Sequence, residues 1–472
     1  MTEMLSARTP SEAGVDATGL LRFLDAIDAD PRIRPHRLVV LRDGHRIADG
    51  TWAPFPADRV QLLYSISKSF TVTAAGFAWQ EGLLDLDAPV LSYFPELDAD
   101  ITDPRSRSMT VRHIAAMASG HAQETVDTAR GLDPVDLVRG FLLIPPDAEP
   151  GTLFAYNQPC TYTLATIVQR AAGMTLVEYL RPRLFDPLGI DDVAWIEEPA
   201  GRNIGFSGLH ATADAVARLG ELYRCGGMWG DDRLLAAEWV ELATSRQIAT
   251  PPVGAPDWEQ GYGFQFWMAR HGYRGDGAFG QFCVVVPEAG LVVAMTSESE
   301  PMQPVLDALW AHVLPAIGGP GDPAADAALA ERLAALSIAP PALGARPSVP
   351  DAWTDATFGV ANPAGSAFAA PVESVHVTPG AGDGLWYLGV DDPRGHLDVT
   401  FAAGGWVVGE SAGVPVAASG GWTDAGDLVV EVLFLEAPHT LTIRCEAGSG
   451  SATARWRTPP LHDLAPSTQH RP

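Results

Sequence analysis

The order in which helical and strand-like patterns follow one another along this 472-residue chain constrains its fold more than any other feature. Asp43-Gly44, between two apolar runs, predicts a β-hairpin near the start of the chain. The pattern is then mostly helical over residues 83–250. Strand-like runs return at residues 262–267, 281–286 and 291–296. Because strands lie on both sides of a helical insert, we predict a mixed α/β (α+β) domain in which helices flank an antiparallel sheet.

A change of composition divides the chain near residue 318. Residues 318–350 are rich in Pro and Ala, which is typical of a linker, with one short helix expected at residues 324–336. From residue 351, short apolar runs alternate with Gly- and Asp-rich turns, and this alternation predicts a small antiparallel β-sandwich or barrel. We therefore expect a first domain over residues 1–317, a linker over 318–350, and a β domain over 351–472 with a flexible C-terminal tail.

The formal net charge of −27 is spread over both parts of the chain, and no basic stripe interrupts it. Nucleic acids and anionic membranes attract clustered Lys and Arg, so we expect neither as a partner. No run of about 18 apolar residues occurs and the first residues lack the pattern of a secretory signal, so we expect a cytoplasmic protein. The four cysteines lack metal or redox spacing and are expected to be reduced: Cys160, Cys225, Cys283 and Cys445.

Lys68 is the only lysine among the 31 basic residues of the sequence. Arg stays protonated in proteins, whereas a buried Lys can lose its proton, so a single retained Lys indicates proton chemistry. Ser65 precedes it by three residues at the start of a predicted helix, where such positions share a face. Ser65 and Lys68 thus form a candidate nucleophile and base. The simpler alternatives are an N-capping serine, a solvated lysine, and a GC-rich genome that makes Lys scarce.

Two further segments support the catalytic interpretation. Residues 150–158, Pro-Gly-Thr-Leu-Phe-Ala-Tyr-Asn-Gln, place Tyr156 just before a predicted helix. Residues 273–281 bring small residues into a strand, as a backbone that approaches a ligand requires. With these segments, residues 10–315 resemble the superfamily of serine β-lactamases and penicillin-binding proteins, in particular its class C-like serine hydrolase branch. Residues 208–214 and 227–230 carry further parts of the resemblance.

The resemblance implies a serine β-lactamase-like fold for residues 1–317 and a covalent acyl-enzyme. Ser65 matches the family's nucleophile, Lys68 the lysine that takes or relays its proton, and Tyr156 the tyrosine that acts with this lysine. The backbone N–H groups of Ser65 and Ala278 match the two oxyanion-hole donors, and each such donor is typically worth about 10²–10³ in rate. No metal and no organic cofactor is implied, and the substrate would be a small ester, an amide or a short peptide.

One departure from the family pattern concerns the support of Lys68. The family's Tyr-x-Asn motif is Tyr156-Asn157-Gln158 here, so the amide that holds the lysine is either Asn157 or Gln158. His121 is a further candidate for the cleft or for a contact with the substrate.

A second departure concerns charge recognition. The family's Lys-Thr-Gly motif is replaced by Gly275-Asp276-Gly277, which lacks the cation that receives a substrate carboxylate. Arg274 either replaces this cation or points to solvent, and Asp276 either tunes the site or is a turn residue. Trp258 and Trp267 are expected in buried packing, with the pocket wall as the alternative.

We therefore predict a serine hydrolase that cleaves an ester or amide through Ser65. An acyltransferase or peptide cyclase is the main alternative, because an amine or alcohol can outcompete water at the same acyl-enzyme. A true β-lactamase is less favoured because the second cation is missing, and a non-catalytic binding module because Ser65, Lys68 and Tyr156 are all present. A homodimer is compatible with the sequence, which does not define the role of the β domain.

Overall fold

The computed structural model describes residues 5–345, 353–361, 368–446 and 448–472. The described region up to residue 317 contains the α-helices α1 (Ala17–Asp28), α2 (Ser67–Gln80), α3 (Pro104–Ser108), α4 (Val111–Ala115), α5 (Val126–Leu132), α6 (Leu137–Leu142), α7 (Gln158–Ala172), α8 (Leu176–Leu180), α9 (Asp186–Leu188), α10 (Ala213–Arg224), α11 (Ala237–Thr244) and α12 (Gln303–Ala308). Its strands are β1 (Pro35–Arg42), β2 (His45–Thr51), β3 (Gln61–Leu62), β4 (Ala194–Trp195), β5 (Leu209–Ala211), β6 (Met228–Trp229), β7 (Asp232–Arg233), β8 (Trp267–Met268), β9 (Tyr273–Gly277), β10 (Gln281–Val286) and β11 (Leu291–Ser297).

Six strands form the main sheet in the spatial order β2-β1-β11-β10-β9-β8, and all neighbouring pairs are antiparallel. The predicted hairpin is confirmed, because β1 and β2 are joined at Asp43 and Gly44, whose φ angles are +48° and +77°. Positive φ at both positions is what a two-residue hairpin turn needs. Since β1 pairs with β11, the sheet is assembled from both ends of this region, as predicted.

The two faces of the sheet bury different cores, because successive side chains of a strand point to opposite sides. On one face, Leu38 and Val40 of β1 pack with α1 and with the helical segment that follows β11. On the other, Val39 and Leu41 join the core that contains α2, α7 and α10. The mixed α/β architecture predicted from the sequence is therefore confirmed, with helices on both sides of the sheet.

Helix α2 lies deep in the second core, and its residues 67–78 are all buried. A helix that is buried on every face belongs to the interior of a protein. A single 3₁₀ turn, Tyr64–Ile66, precedes α2 and carries Ser65. The predicted helix start at Ser65 is confirmed to within a turn, and α2 ends two residues before Gly82, which has φ +73°.

The predicted strand at residues 262–267 is wrong. Only Trp267 and Met268 form a strand, β8, and the preceding residues make a buried loop. Gln265 takes φ +56°, and the Phe264 N–H donates to Ala243 O at 3.0 Å instead of to a neighbouring strand. Apolar content alone does not distinguish a strand from a buried loop, so the sequence pattern was misleading here.

Beyond residue 317, α13 (Pro323–Ala334) confirms the short helix expected in the linker and lies against α1 and β2. Nine strands follow: β12 (Ala356–Val360), β13 (Ser374–Pro379), β14 (Trp386–Asp392), β15 (Gly395–Phe401), β16 (Val407–Ser411), β17 (Val414–Trp422), β18 (Leu428–Phe434), β19 (Thr440–Glu446) and β20 (Ser451–Trp456). They form one sheet in the order β15-β14-β13-β12-β20-β19-β18-β17-β16.

This sheet curls into a nearly closed barrel with a single apolar interior. The Gly420 N–H on β17 donates to Ala402 O, just beyond β15, at 3.1 Å, so opposite ends of the sheet approach each other. All pairs are antiparallel except β12 with β20. The β-rich C-terminal region was predicted, whereas the parallel pair was not, because strand pairing across a long sequence separation leaves no local signal.

Residues 457–472 pack on the rest of the chain, which differs from the flexible tail expected for them. His462 Nε2 lies 2.6 Å from Ser207 Oγ, and the Leu461 N–H donates to Tyr64 Oη at 3.3 Å. Arg471 pairs with Asp192 at 2.6 Å. The division at residues 317 and 350 stays a prediction, and residues 346–350 of the expected linker lie outside the described residues.

Across the described parts of the chain, no helix has the length and apolar character needed to cross a bilayer.

Candidate active site

Ser65 and Lys68 lie side by side, as their spacing predicts. Lys68 Nζ is 2.9 Å from Ser65 Oγ, within hydrogen-bond distance. The 3₁₀ turn places Ser65 immediately before α2, and Lys68 stands one turn further on the same face. Ser65 keeps partial access to solvent, whereas Lys68 is 1% exposed. A substrate can therefore reach the hydroxyl while the amine behind it stays dry.

Burial sets the proton affinity of Lys68. It lowers the pKa of the amine to about 7, although the carboxylates of Glu124 and Asp276 favour the charged form. Nζ also donates to Phe206 O at 2.8 Å. In the neutral amine this bond uses one N–H, so the lone pair is free to accept the proton of Ser65 Oγ. The pair can therefore act as nucleophile and base near neutral pH.

Tyr156 lies beside the amine of Lys68. Lys68 Nζ is 4.8 Å from the centre of its ring, and its hydroxyl lies close to the Ser65 side chain. Its ring stacks on Trp267 with centroids 5.4 Å apart and planes 17° apart. Burial raises the pKa of the Tyr156 phenol well above its usual value, and the nearby Asp276 carboxylate adds to this shift. The phenol consequently keeps its proton at neutral pH and can donate it.

The end of β9 brings the second predicted oxyanion donor beside Ser65. A Cβ built on Gly277 would lie 3.1 Å from Ser65 N and 2.2 Å from Leu63 O, so only glycine permits this approach. Ala278 follows directly, at the turn between β9 and β10. No described residue accepts a hydrogen bond from the Ser65 or Ala278 N–H. Both donors are thus available to a ligand oxygen.

Neither amide of the tyrosine motif bonds to Lys68. Asn157 Oδ1 accepts from the Thr125 N–H at 3.0 Å and from the Thr125 hydroxyl at 2.9 Å. The Gln158 N–H, at the start of α7, donates to the Glu124 carboxylate at 3.1 Å. Both residues therefore position the start of α7, directly after Tyr156, and the backbone carbonyl of Phe206 takes the place that either amide was expected to occupy.

Arg274 does not point to solvent and does not present a free cation. It is fully buried, and its guanidinium pairs with the Asp276 carboxylate at 3.0 Å. Its plane lies over Trp258, with the guanidinium carbon 4.3 Å from the ring centre. Asp276 is a strand residue of β9 rather than a turn residue, and it is also buried. Arg274 and Asp276 therefore form a buried, mutually neutralised ion pair.

Of the remaining candidate residues, the two tryptophans lie beside the site, and the two histidines have structural hydrogen bonds. Trp267 supports Tyr156 and Trp258 covers Arg274, so both tryptophans pack around the site. His121 is buried away from the cleft, accepting from Ser119 Oγ at 2.9 Å and donating to Ile144 O at 3.0 Å. His113 caps α4 by accepting from the Thr110 N–H at 3.1 Å.

Two residues of the site were missed at the level of sequence. Phe206 acts through its backbone oxygen, which leaves no signature in residue type, although the adjacent Gly205 and Gly208 have φ +72° and +81°. Glu124 accepts from the N–H groups of Thr125, Val126 and Gln158, at the starts of α5 and α7. Acidic residues favour helix N-termini, so this residue could have been found once both helix starts were known.

Two proteins with similar sequences are named as a dimer hydrolase and an esterase. 6-Aminohexanoate-dimer hydrolase of Paenarthrobacter ureafaciens is 28% identical over 282 residues, which cover 55% of this chain and 71% of that protein. Lovastatin esterase of Penicillium rubens (strain ATCC 28089 / DSM 1075 / NRRL 1951 / Wisconsin 54-1255) is 29% identical over 168 residues, or 31% of this chain and 42% of that protein.

One solved structure resembles both parts of the chain. The octameric penicillin-binding protein homologue from Pyrococcus abyssi has a TM-score of 0.50 at 16% identity, covering 90% of this chain and 98% of its own. At that identity the likeness concerns the fold, and it extends into the C-terminal barrel. The family described as Beta-lactamase matches residues 22–317, more than half of the sequence. The chain therefore belongs to the Beta-lactamase family.

Proposed function

We propose that this protein is a serine hydrolase that cleaves an ester or an amide through a covalent acyl-enzyme on Ser65. The observation that carries the proposal is the 2.9 Å distance between Ser65 Oγ and Lys68 Nζ, with the pKa of that buried amine lowered to about 7. Two relatives, named as a dimer hydrolase and an esterase, support a hydrolytic activity on small substrates.

In the acylation step, neutral Lys68 accepts the proton of Ser65 Oγ while this oxygen bonds to the substrate carbonyl carbon. The carbonyl electron pair moves to the substrate oxygen, which the N–H groups of Ser65 and Ala278 stabilise. Collapse of the tetrahedral intermediate breaks the bond to the alcohol or amine, which leaves with a proton. Water then attacks the acyl-enzyme, its proton passes to Lys68, and the acid and free Ser65 are released.

Tyr156 serves in this scheme as a proton donor. Its raised pKa keeps the phenol protonated, and its hydroxyl lies close to Ser65. It can therefore give a proton to the departing alcohol or amine and recover one from the Lys68 ammonium. A phenolate base at this position would need the opposite pKa shift.

The charge distribution favours substrates that do not depend on a carboxylate for recognition. Arg274 is committed to Asp276 and is shielded by Trp258. A substrate carboxylate placed near β9 would therefore meet a neutral ion pair. We accordingly propose uncharged esters or amides as substrates in preference to β-lactams.

Substitution of Ser65 and Lys68 tests the proposal. With p-nitrophenyl acetate as substrate, we expect Ser65→Ala to lose turnover, and Lys68→Arg to lose at least about 10³-fold in kcat because Arg keeps the charge but not the basicity. A fluorophosphonate probe should add one label to the wild type, at Ser65. Ser92→Ala, at an exposed serine, is the matched control and should retain activity. Full turnover by Ser65→Ala would refute the proposal.

A further inference from the structure

The C-terminal barrel reaches the chain on both sides of the nucleophile. The loop of residues 435–439, between β18 and β19, docks on β3, where the Leu62 N–H donates to Glu436 O at 2.8 Å. Arg59 pairs with the Glu436 side chain at 3.2 Å. This docking loop ends at His439. A residue from the C-terminal part of the sequence therefore contacts Tyr64, which directly precedes Ser65.

His439 makes a fully buried contact with Tyr64, the residue before the nucleophile. His439 Nδ1 lies 2.8 Å from Thr458 O, which can only accept, so this nitrogen carries the proton. Nε2 is then an acceptor, and Tyr64 Oη donates to it at 2.7 Å. The imidazole is 1% exposed, and its burial lowers its pKa to about 3, which keeps it neutral and preserves this direction of donation.

The two backbone segments that carry the oxyanion donors are both in a conformation that side chains rarely adopt. Tyr64, next to the Ser65 N–H, has φ +47°, and Phe279, next to the Ala278 N–H, has φ +66°. Such conformations cost of order 1–3 kcal/mol each and persist only where the surroundings enforce them. The enforcing contacts should therefore be visible around these two residues.

One side chain touches both strained residues. The His439 ring lies 5.8 Å from the Tyr64 ring and 5.3 Å from the Phe279 ring, both edge to face, and the two aromatic rings are 5.5 Å apart. The backbone of Phe279 is anchored at the end of β11, because its carbonyl accepts from the Ser299 N–H at 2.8 Å and from Ser297 Oγ at 3.0 Å. The Tyr64 and Phe279 rings thus touch each other, and His439 contacts both of them.

We propose that His439 is a positioning residue that holds the two oxyanion-hole segments at their working separation. The proposal rests on the proposed function, because it assigns His439 a role in the reaction at Ser65. It also assigns the C-terminal barrel a catalytic purpose: the barrel supplies the clamp that fixes the Ser65 and Ala278 N–H groups, and His439 does so without touching the substrate.

The test compares full-length variants with p-nitrophenyl acetate, with kcat expressed per Ser65 labelled by a fluorophosphonate. We expect His439→Leu to lower kcat by about 10–100-fold with KM within about threefold, because a shifted donor loses transition-state stabilisation rather than binding. His439→Gln can both accept from Tyr64 and donate to Thr458 O, so it should recover kcat to within about fivefold of the wild type.

Tyr64→Phe provides an independent variant that keeps the ring packing and removes the hydroxyl. We expect it to lower kcat in the same range. The double variant with His439→Leu should lose no more kcat than the more damaging single variant, because both substitutions break the same hydrogen bond between Tyr64 and His439. Tyr64→Phe and His439→Gln carry the test alone if His439→Leu does not fold. His376→Leu, at an exposed histidine of β13, is the matched control and should keep wild-type kcat.

The outcomes separate the two proposals. A wild type that neither hydrolyses the ester nor takes the label refutes the proposed function and this inference with it. A wild type that does both, with His439→Leu or Tyr64→Phe turning over at the wild-type rate, refutes only the positioning role. Equal losses in His439→Leu and His439→Gln would also refute it, because the glutamine restores the hydrogen bonds.

Discussion

At the scale of single residues, the environment of Lys68 makes a specific prediction for the pH dependence of activity. In the proposed mechanism Lys68 reacts as the neutral amine, so activity should rise with pH and level off above the folded-state pKa of about 7. Below it, kcat/KM should fall about tenfold per pH unit. An ordinary lysine, with a pKa of about 10.4, would place this limb about three units higher.

A variant at Glu124 tests the same pKa, because the negative charge of Glu124 favours protonated Lys68. Glu124→Gln keeps an acceptor for the helix N-termini but removes the negative charge. We therefore expect the midpoint of the acid limb to move to lower pH in this variant. A midpoint near 10 in the wild type, or a shift upward in Glu124→Gln, would contradict the assignment of Lys68 as the base.

At the scale of elements, the close packing of α2 predicts opposite effects for the same substitution at two helical glycines. A Cβ on Gly76 would lie 2.5 Å from Trp239 Nε1 and 2.9 Å from Leu235 Cδ1, so Gly76→Ala should lower the free energy of unfolding by about 1–3 kcal/mol. Gly131 in α5 has open space within 4 Å, so Gly131→Ala should raise it by about 0.5–1 kcal/mol. Urea denaturation measures both, and equal signs would show that packing around α2 is looser than described.

At the scale of the whole molecule, Glu298 joins the main sheet to the barrel. Its buried carboxylate accepts from the Thr440 N–H at 2.9 Å, the Thr440 hydroxyl at 2.5 Å and the Thr458 hydroxyl at 2.9 Å. Arg34 and Arg457 each lie 3.8 Å away. Glu298→Leu would remove the acceptor of the Thr440 N–H and hydroxyl groups and the negative charge between the two arginines, so we expect a loss of about 2–5 kcal/mol in the free energy of unfolding.

Thermal unfolding of the full chain measures this loss as a lower Tm. Glu298→Gln keeps an acceptor and should lose less than Glu298→Leu. Glu288→Ala, at an exposed glutamate between β10 and β11, is the control and should stay within about 0.5 kcal/mol of the wild type. An unchanged Tm in Glu298→Leu would mean that the two parts of the chain are held together elsewhere.

The sequence allowed us to predict those structural features that depend on neighbouring residues. The Asp43-Gly44 hairpin, a helix start within one turn of Ser65 and the strand-rich C-terminal region all follow from neighbouring residues, because turns, caps and periodicity are local. The loop at residues 262–266 was mistaken for a strand, since its conformation depends on a bond from Phe264 to Ala243 rather than on its own composition.

The sequence by itself determined the spacing of Ser65 and Lys68, because one helical turn brings such residues together wherever the helix lies. Only the tertiary structure decided the environment of that pair. Burial lowers the pKa of Lys68, Phe206 O replaces the expected amide, and Asp276 neutralises Arg274. It also brought His439, 374 residues beyond Ser65 in the numbering, into contact with Tyr64, the residue before Ser65. Desolvation, ion pairing and the docking of distant segments depend on which segments contact each other in space. The residue types within one segment do not determine those contacts.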